Sequence, residues 1–422
     1  MATKTVDTQE APVGTPMTTL DQSTGYYRSE ASHNARLTEV GRGTPMGELM
    51  RRYWHPVGLS SYATDLPRKI RALGEDLVLF RDGNGRAGLV HPRCCHRGAS
   101  LFYGRVEECG IRCCYHGWLF DVEGRCLERP AEPSSGPISA VRQPWYPVEE
   151  RYGLIWAYMG PADKKPLLPR YNVFEELEEG EQLWADDKNI GAGHQAPNVP
   201  FNWLQHYENI HDLAHFYWLH YLHSGSQFGD RFGEIDLVEM RRNLYALTQD
   251  TDYEVNERGV TARRISQLPD GSTLNNIVET VLPTLRVVPN PFGTPGRVDH
   301  VGFVLPVDDT HFNIFTVERS TDRAFLNFFD NIHAKEEAKT LEQRQRFPGD
   351  LEAQGSQGPI TLHGEEHLGT SDKAIVKLRR LFEAQLKIVE NGGDPIGVHF
   401  EPGREYIRLE GGAFITPAAV SA

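Results

Sequence analysis

Apolar positions along this chain follow two regimes. Up to about residue 160 they come in short runs split by Gly, Pro and Asp. Leu77 to Phe80 and Ala87 to Val90 flank Asp82-Gly83-Asn84-Gly85, which reads as a hairpin. Trp118 to Val122 leads into a turn at Glu123-Gly124, and Gly153 to Met159 gives a last strand. Such spacing predicts a small antiparallel β domain over 36–160. Ahead of it, residues 1–35 are rich in Thr, Ser, Gln and Glu and predict a mobile arm; within the domain, Met46 to Trp54 predicts a short amphipathic helix. Pro161, Pro166 and Pro169 mark a linker over 161–170.

Beyond the linker the runs lengthen. Asn202 to His220 predicts an aromatic-rich helix, and strands are predicted at Leu237 to Thr248, Gly259 to Ile265, Asn275 to Leu282, His300 to Pro306 and His311 to Val317. Ala334 to Arg346 and Ser371 to Val389 carry a helical period; the second starts at a Ser able to cap it and ends at Asn391-Gly392-Gly393. Strands grouped ahead of helices predict an α+β class, with a second domain over 171–422.

Composition narrows the function classes. In 422 residues, 39% are apolar and 24% charged, with 40 Gly and 27 Pro, which suits a globular protein with many turns. A net charge of −14 without an offsetting basic run argues against nucleic acid as a partner. No run approaches 18 apolar residues, so no membrane span is expected, and the polar N-terminus lacks the apolar core of a signal peptide. All six Cys lie between Cys94 and Cys126, a clustering that indicates metal chemistry in a reducing compartment, hence a cytoplasmic location. Cys95, Cys109, Cys114 and Cys126 are read as ordinary thiols.

The chemistry concentrates at Cys94-Cys95-His96-Arg97-Gly98 and Cys113-Cys114-Tyr115-His116-Gly117-Trp118. A Cys-x-His and a Cys-x-x-His, sixteen residues apart, offer two thiolates and two imidazoles. That set suits one zinc, but also a [2Fe–2S] cluster in which two Cys hold one iron and two His the other. Each loop here carries one of each, unlike a zinc finger with its Cys pair followed by a His pair on a helix.

The two motifs resemble the Rieske domain of ring-hydroxylating, Rieske non-haem iron oxygenases. Respiratory Rieske proteins carry an extra disulfide-forming Cys in each loop, and Ala99 and Tyr115 stand at those positions. The resemblance implies that Cys94, His96, Cys113 and His116 hold the cluster. A second metal site is suggested by the histidines of Asn202 to His220. Spacing alone favours His211 and His215 at i, i+4, because His215 and His220 stand five apart and need a bulge or a helix end between them.

The run nevertheless resembles the Asn-Trp…Glu…Asp-x-x-His-x₄-His element of the oxygenase catalytic domain. By that resemblance the iron ligands are His215 and His220, and Asp212 bridges to the Rieske histidine of a neighbouring subunit. His206, His211 and His223 are then surface or core histidines. Two His and one carboxylate make the facial triad of non-haem Fe(II) oxygenases. The stretch Gly349 to Ile360 with Glu366 to Asp372 resembles the matching region of the phthalate dioxygenase group and implies Asp350 as the carboxylate, with Glu352 the competitor.

The resemblance also implies an antiparallel β Rieske domain joined to a helix-grip-like catalytic domain. It implies a homotrimer or hexamer fed from NADH by a separate reductase carrying FMN and a plant-type [2Fe–2S] cluster, directly or through a ferredoxin. The expected reaction is monooxygenation of an aromatic carboxylate, with O-demethylation of a methoxylated acid ahead of phthalate-like ring cis-dihydroxylation. A pure Rieske electron carrier is the reading from another class, but it leaves His215, His220 and Asp350 without a role. An anionic substrate calls for a cation, and Arg263 and Arg264, with Arg286 behind them, are candidates. Adjacent residues on a strand face opposite sides, so at most one of Arg263 and Arg264 points inward.

Overall fold

The computed structural model describes residues 31–133, 140–225, 251–267, 271–289 and 296–417, with Val238, Met240, Arg241 and Leu244 singly. Most of the predicted arm lies outside them. The N-terminal half is built from three small antiparallel sheets. One pairs Trp54–Leu59 with Leu154–Tyr158 and Val148–Arg151; a second joins Arg68–Ala72, Glu75–Arg81, Ala87–Val90 and Trp145–Tyr146. The third joins Arg105–Glu107, Gly110–Arg112, Leu119–Phe120 and Cys126–Glu128, and carries the second Cys/His loop between its middle strands. The predicted hairpin is present, closed by Asp82, whose carboxylate accepts from Arg86 N–H at 2.8 Å. The helix predicted over Met46 to Trp54 is shorter. Helix α1 is Pro45–Met50, capped by Thr44, and Trp54 already opens a strand because its indole is drawn to Pro166 O at 2.9 Å.

The C-terminal half is organised around one eight-stranded antiparallel sheet. Its strands are β1 (Gln182–Asp186), β2 (Thr251–Val255), β3 (Gly259–Gln267), β4 (Thr273–Val281), β5 (Leu285–Val287), β6 (His300–Asp308), β7 (His311–Ser320) and β8 (Gly412–Thr416). They run in the order β1-β7-β6-β5-β4-β3-β2, with β8 paired to the first half of β4. Helix α6 (Lys373–Glu390) lies against β2 and β3, burying Ala374, Leu378, Phe382 and Leu386, and the predicted glycine stop holds, with Gly393 N–H bonded to Ile388 O at 2.9 Å. This is the α+β, helix-grip-like arrangement. Buried residues on both sides of 161–170 form one cluster: Trp156 of the N-terminal half meets Phe303 of β6 edge-on at 5.0 Å. A separate cluster around Val78, Phe80, Leu101 and Phe120 supports the Cys/His loops.

Two further expectations change. The helix predicted over Ala334 to Arg346 is two helices, α4 (Ala324–Glu337) and Leu341–Arg346, because Thr340 forms a capping box with Gln343 and restarts the chain. Of the strand predicted over Leu237 to Thr248, the four described residues are helical and the rest lie outside the described residues.

Candidate metal centres and the cavity beside them

The two Cys/His loops share one backbone design. Cys94 N–H donates to Ala99 O and Gly98 N–H to Cys94 O, both at 2.8 Å; Cys113 N–H donates to Trp118 O at 2.8 Å and Gly117 N–H to Cys113 O at 3.1 Å. Gly98 (φ +79°) and Gly117 (φ +73°) make the reversals in the left-handed region, where a side chain is strained. The loops bury both thiols and leave both imidazoles half-buried, with ring centroids 4.6 Å apart and edge-on. Trp118 lies flat on His96 at 4.3 Å, and Tyr115 stands exposed beside His116. Cys95, Cys109 and Cys114 are exposed and Cys126 is buried, as ordinary thiols would be.

Gln143 escaped the sequence reading. It is fully buried, accepts from Cys95 N–H at 2.8 Å and donates to His91 O at 2.8 Å and Arg93 O at 2.9 Å, stapling the first loop from a segment about fifty residues on. No local pattern marks it.

At the second centre the predicted single helix is broken. Helix α2 (Trp203–Asn209) ends, and Asp212 starts α3 (Leu213–Tyr217) by accepting from His215 N–H at 3.1 Å. Trp218–His223 then continues as a π-helix, whose wider turn brings residues five apart onto one face. That turn is the bulge that a His215/His220 pair requires. The i, i+4 pair fails for the same reason. His211 lies within the break, buried, with Nε2 2.8 Å from Thr280 Oγ1 on β4.

Asp350 comes to the two imidazoles from the first position of helix α5 (Asp350–Gly355). Its Oδ1 is 3.6 Å from His215 Nε2 and its Oδ2 3.4 Å from His220 Nε2. These three are the one group of such side chains among the described residues whose donor atoms lie within 4.8 Å of one another. Two imidazole nitrogens and one carboxylate converging on one point fit a divalent iron with open positions. The Nδ1 of His215 is held by the Asp212 carbonyl, which leaves Nε2 as the atom able to meet a metal. Glu352 is engaged elsewhere, with Arg344 at 2.5 Å and Gly349 N–H at 2.8 Å. His206 is a core residue, bonded through Nδ1 to Gln354 Oε1 at 3.1 Å, and His223 is exposed.

These donors open on a cavity of about 620 Å³ between the sheet and α3, α4 and α5. Its walls include Phe216, Val278, Phe325, Phe329, Ile332 and Leu351. Strand alternation decides between the adjacent arginines. Arg264 lines the cavity, 5.3 Å over the Tyr217 ring, with burial lowering its pKa. Arg263 is exposed on the other face, 3.8 Å from Glu410 Oε2. Arg286 also lines the cavity, and burial lowers its guanidinium to about 10.

Residues 53–147 match the Rieske [2Fe-2S] domain family. The chain is 47% identical to phenoxybenzoate dioxygenase subunit alpha of Ectopseudomonas oleovorans, over 92% of this chain and 94% of that protein. It is 33% identical to the 5,5'-dehydrodivanillate O-demethylase oxygenase subunit of Sphingobium sp. (strain NBRC 103272 / SYK-6), over 88% and 84%. Among solved structures, dicamba monooxygenase bound to dicamba shares the fold at a TM-score of 0.56 and 18% identity, over 81% of this chain and 99% of that one.

The chain therefore belongs to the Rieske non-haem iron oxygenases. Within them it is an oxygenase subunit of the group that includes phenoxybenzoate dioxygenase and dehydrodivanillate O-demethylase, and works with a [2Fe–2S] Rieske cluster, a mononuclear iron and a separate NADH-dependent reductase. No helix among the described residues is long and apolar enough to cross a membrane.

Proposed function

We propose that this subunit oxygenates an aromatic carboxylate carrying an ether oxygen, with O-demethylation of a methoxylated benzoate as the first reading. Cys94, His96, Cys113 and His116 hold the cluster, and His215, His220 and Asp350 hold the iron. When bound, the two groups supply two electrons to O₂. In a homotrimer, Asp212 carries the link from this iron to the cluster of the neighbouring subunit. The observation that carries the substrate class is the cavity itself: apolar walls sized for a substituted ring, bordered by the three ligands, with inward-facing arginine.

For the first reading the balance is simple. An aryl methyl ether, O₂, two electrons and two protons give the hemiacetal and water; the hemiacetal then releases formaldehyde and leaves a phenol. The second reading is ring attack at the ether-bearing carbon, and it is favoured by the 47% identity to a subunit named for a phenoxybenzoate. Both place oxygen on a carbon bonded to the ether oxygen.

The deciding experiment supplies purified protein with a surrogate reductase, NADH and O₂. 3-Methoxybenzoate and 3-phenoxybenzoate are offered separately, and formaldehyde and phenol are measured. Formaldehyde from the first supports demethylation, and phenol from the second supports ring attack. Neither product, with NADH consumed only to peroxide, overturns the ether-bearing acid.

A further inference from the structure

Four arginines are buried among the described residues: Arg51, Arg52, Arg286 and Arg319. Three of them have a carboxylate in place. Arg51 meets Glu75 at 2.9 Å, Arg52 meets Asp394 at 2.8 Å, and Arg319 meets Glu181 at 2.5 Å. Arg286, only 9% exposed, has none within 4 Å among the described residues. Among the described residues its one hydrogen bond runs from Nη2 to the Ile190 carbonyl, and Nε has no partner. An unpaired buried charge is costly, so a protein that keeps one has a use for it.

The surroundings are shaped to this side chain. Arg286 on β5 pairs across the sheet with Gly302 on β6, and the guanidinium lies over the space a side chain there would fill. A Cβ on Gly302 would fall 2.8 Å from Arg286 Nε and 3.1 Å from its Cγ. On another side, a Cβ on Gly191 would fall 3.1 Å from Nη2 and 3.2 Å from Nη1. Gly191 also sits at φ +88°, where glycine is the easy choice. Two glycines thus make a slot for a flat guanidinium at the wall of the cavity that holds His215, His220 and Asp350. Asp350, whose charge acts on Arg286, has its two oxygens already facing those two imidazoles.

We infer that Arg286 anchors the carboxylate of the substrate, the missing partner of this buried cation. The inference rests on the aromatic-carboxylate reading above and adds which residue recognises the acid. A planar fork meeting a carboxylate in a dry site gives directional, charge-assisted hydrogen bonds. The anchor fixes one end of the ring and so selects which substituent reaches the three metal ligands. Arg264, on β3 and less buried, lies over the Tyr217 ring.

Binding rather than turnover is the cleanest test. Calorimetric titration of the anaerobic iron-loaded protein with 3-methoxybenzoate, and with neutral 3-methoxybenzamide as control, is done for wild type, Arg286→Met, Arg286→Lys and Arg264→Met. The Rieske spectrum and melting temperature check that each variant folds. Arg286→Met is expected to weaken the acid about 10- to 100-fold and the amide by less than about 3-fold, with Arg286→Lys between. Gly302→Ala, which keeps the arginine but displaces it, gives the same selective loss and serves if Arg286→Met does not fold. Equal binding of the acid by wild type, Arg286→Met and Gly302→Ala overturns the anchor while leaving the substrate class standing. A selective loss in Arg264→Met alone also overturns it. Failure of the wild type to bind any aromatic acid instead overturns the substrate class, and the anchor with it.

Discussion

Replacing Asp212 by Asn separates two duties of one residue. Its carboxylate caps α3 through His215 N–H at 3.1 Å, and its carbonyl fixes His215 Nδ1. Asn caps as well as Asp, and the carbonyl is untouched, so both metal centres should assemble and stability should change by less than about 0.5 kcal/mol. The side chain is 29% exposed, which leaves a carboxylate oxygen reachable from a neighbouring subunit. What Asn removes is the charge. A hydrogen bond to a charged group is worth about 1 kcal/mol more than a neutral one, or about fivefold in the bridged population. Cluster reoxidation by O₂ with substrate bound should slow by at least that factor, while reduction by the reductase stays normal. Stopped-flow absorbance of the Rieske cluster reads both phases. Asp212→Ala is the companion: it loses the cap as well and should cost about 1 kcal/mol in stability. Reoxidation of Asp212→Asn at the wild-type rate would refute the bridge and leave Asp212 as a helix cap alone.

Three further outcomes are expected. His215→Ala, His220→Ala and Asp350→Ala should each lose mononuclear iron, measured by metal analysis, yet keep the Rieske spectrum, whereas His211→Ala keeps both centres; iron lost from His211→Ala and retained in His220→Ala would restore the i, i+4 pair. Arg379→Met should destabilise the protein by about 3–5 kcal/mol in urea unfolding, because it strands Glu208, which Arg379 now meets at 2.6 and 2.7 Å in a buried site; a loss under 1 kcal/mol contradicts this. His55 is fully buried, its Nε2 donates to Met50 O at 2.8 Å, and burial lowers its pKa from 6.5 to about 4. The unfolded chain therefore binds the extra proton first as pH falls. The contribution is complete above pH 6.5, is lost as pH drops through 4, and amounts to about 3 kcal/mol; His55→Gln should flatten acid unfolding over that window, and an unchanged slope contradicts the assignment.

Legibility from sequence followed how local each determinant is. The Cys/His loops were readable because ligands, glycines and turn lie within a few residues of one another. Strand alternation limited Arg263 and Arg264 to one inward residue before the structure chose Arg264. The helix from Asn202 to His220 misled because periodicity does not show a break at Ile210–Asp212 followed by a π-turn; aspartate and histidine are unremarkable inside a polar helix face. Family resemblance, not spacing, chose His220. Gln143, the Gly191 and Gly302 slot, and the missing counter-ion of Arg286 depend on segments remote in sequence, and no local pattern encodes them. The same holds for β1, which pairs with β7 across more than a hundred residues.

The broken helix explains how a weakly regular segment can hold a metal site in place. A π-turn gives poorer hydrogen-bond geometry than an α-helix, and α3 has only five residues, so neither is stable by itself. Fixation comes from the ends and from the partner strand of chain. Upstream, Glu208 on α2 is gripped by Arg379 of α6, which Glu366 holds from the other side at 2.5 and 2.9 Å. Downstream, Ser224 Oγ donates to Pro348 O at 2.7 Å, tying the end of the π-turn to the residues just before Asp350. Between them, Gln354 donates to Asp350 Oδ1 at 3.3 Å and accepts from His206, while its carbonyl receives Gln205 at 2.9 Å. Helix α2 thus reaches the Asp350 carboxylate through α5, and the π-turn reaches it through Pro348. The three donors are positioned by two closed loops of hydrogen bonds around an irregular segment. That irregularity can then be kept for what it provides, a five-residue spacing that turns two imidazoles toward one carboxylate and leaves the cavity side open.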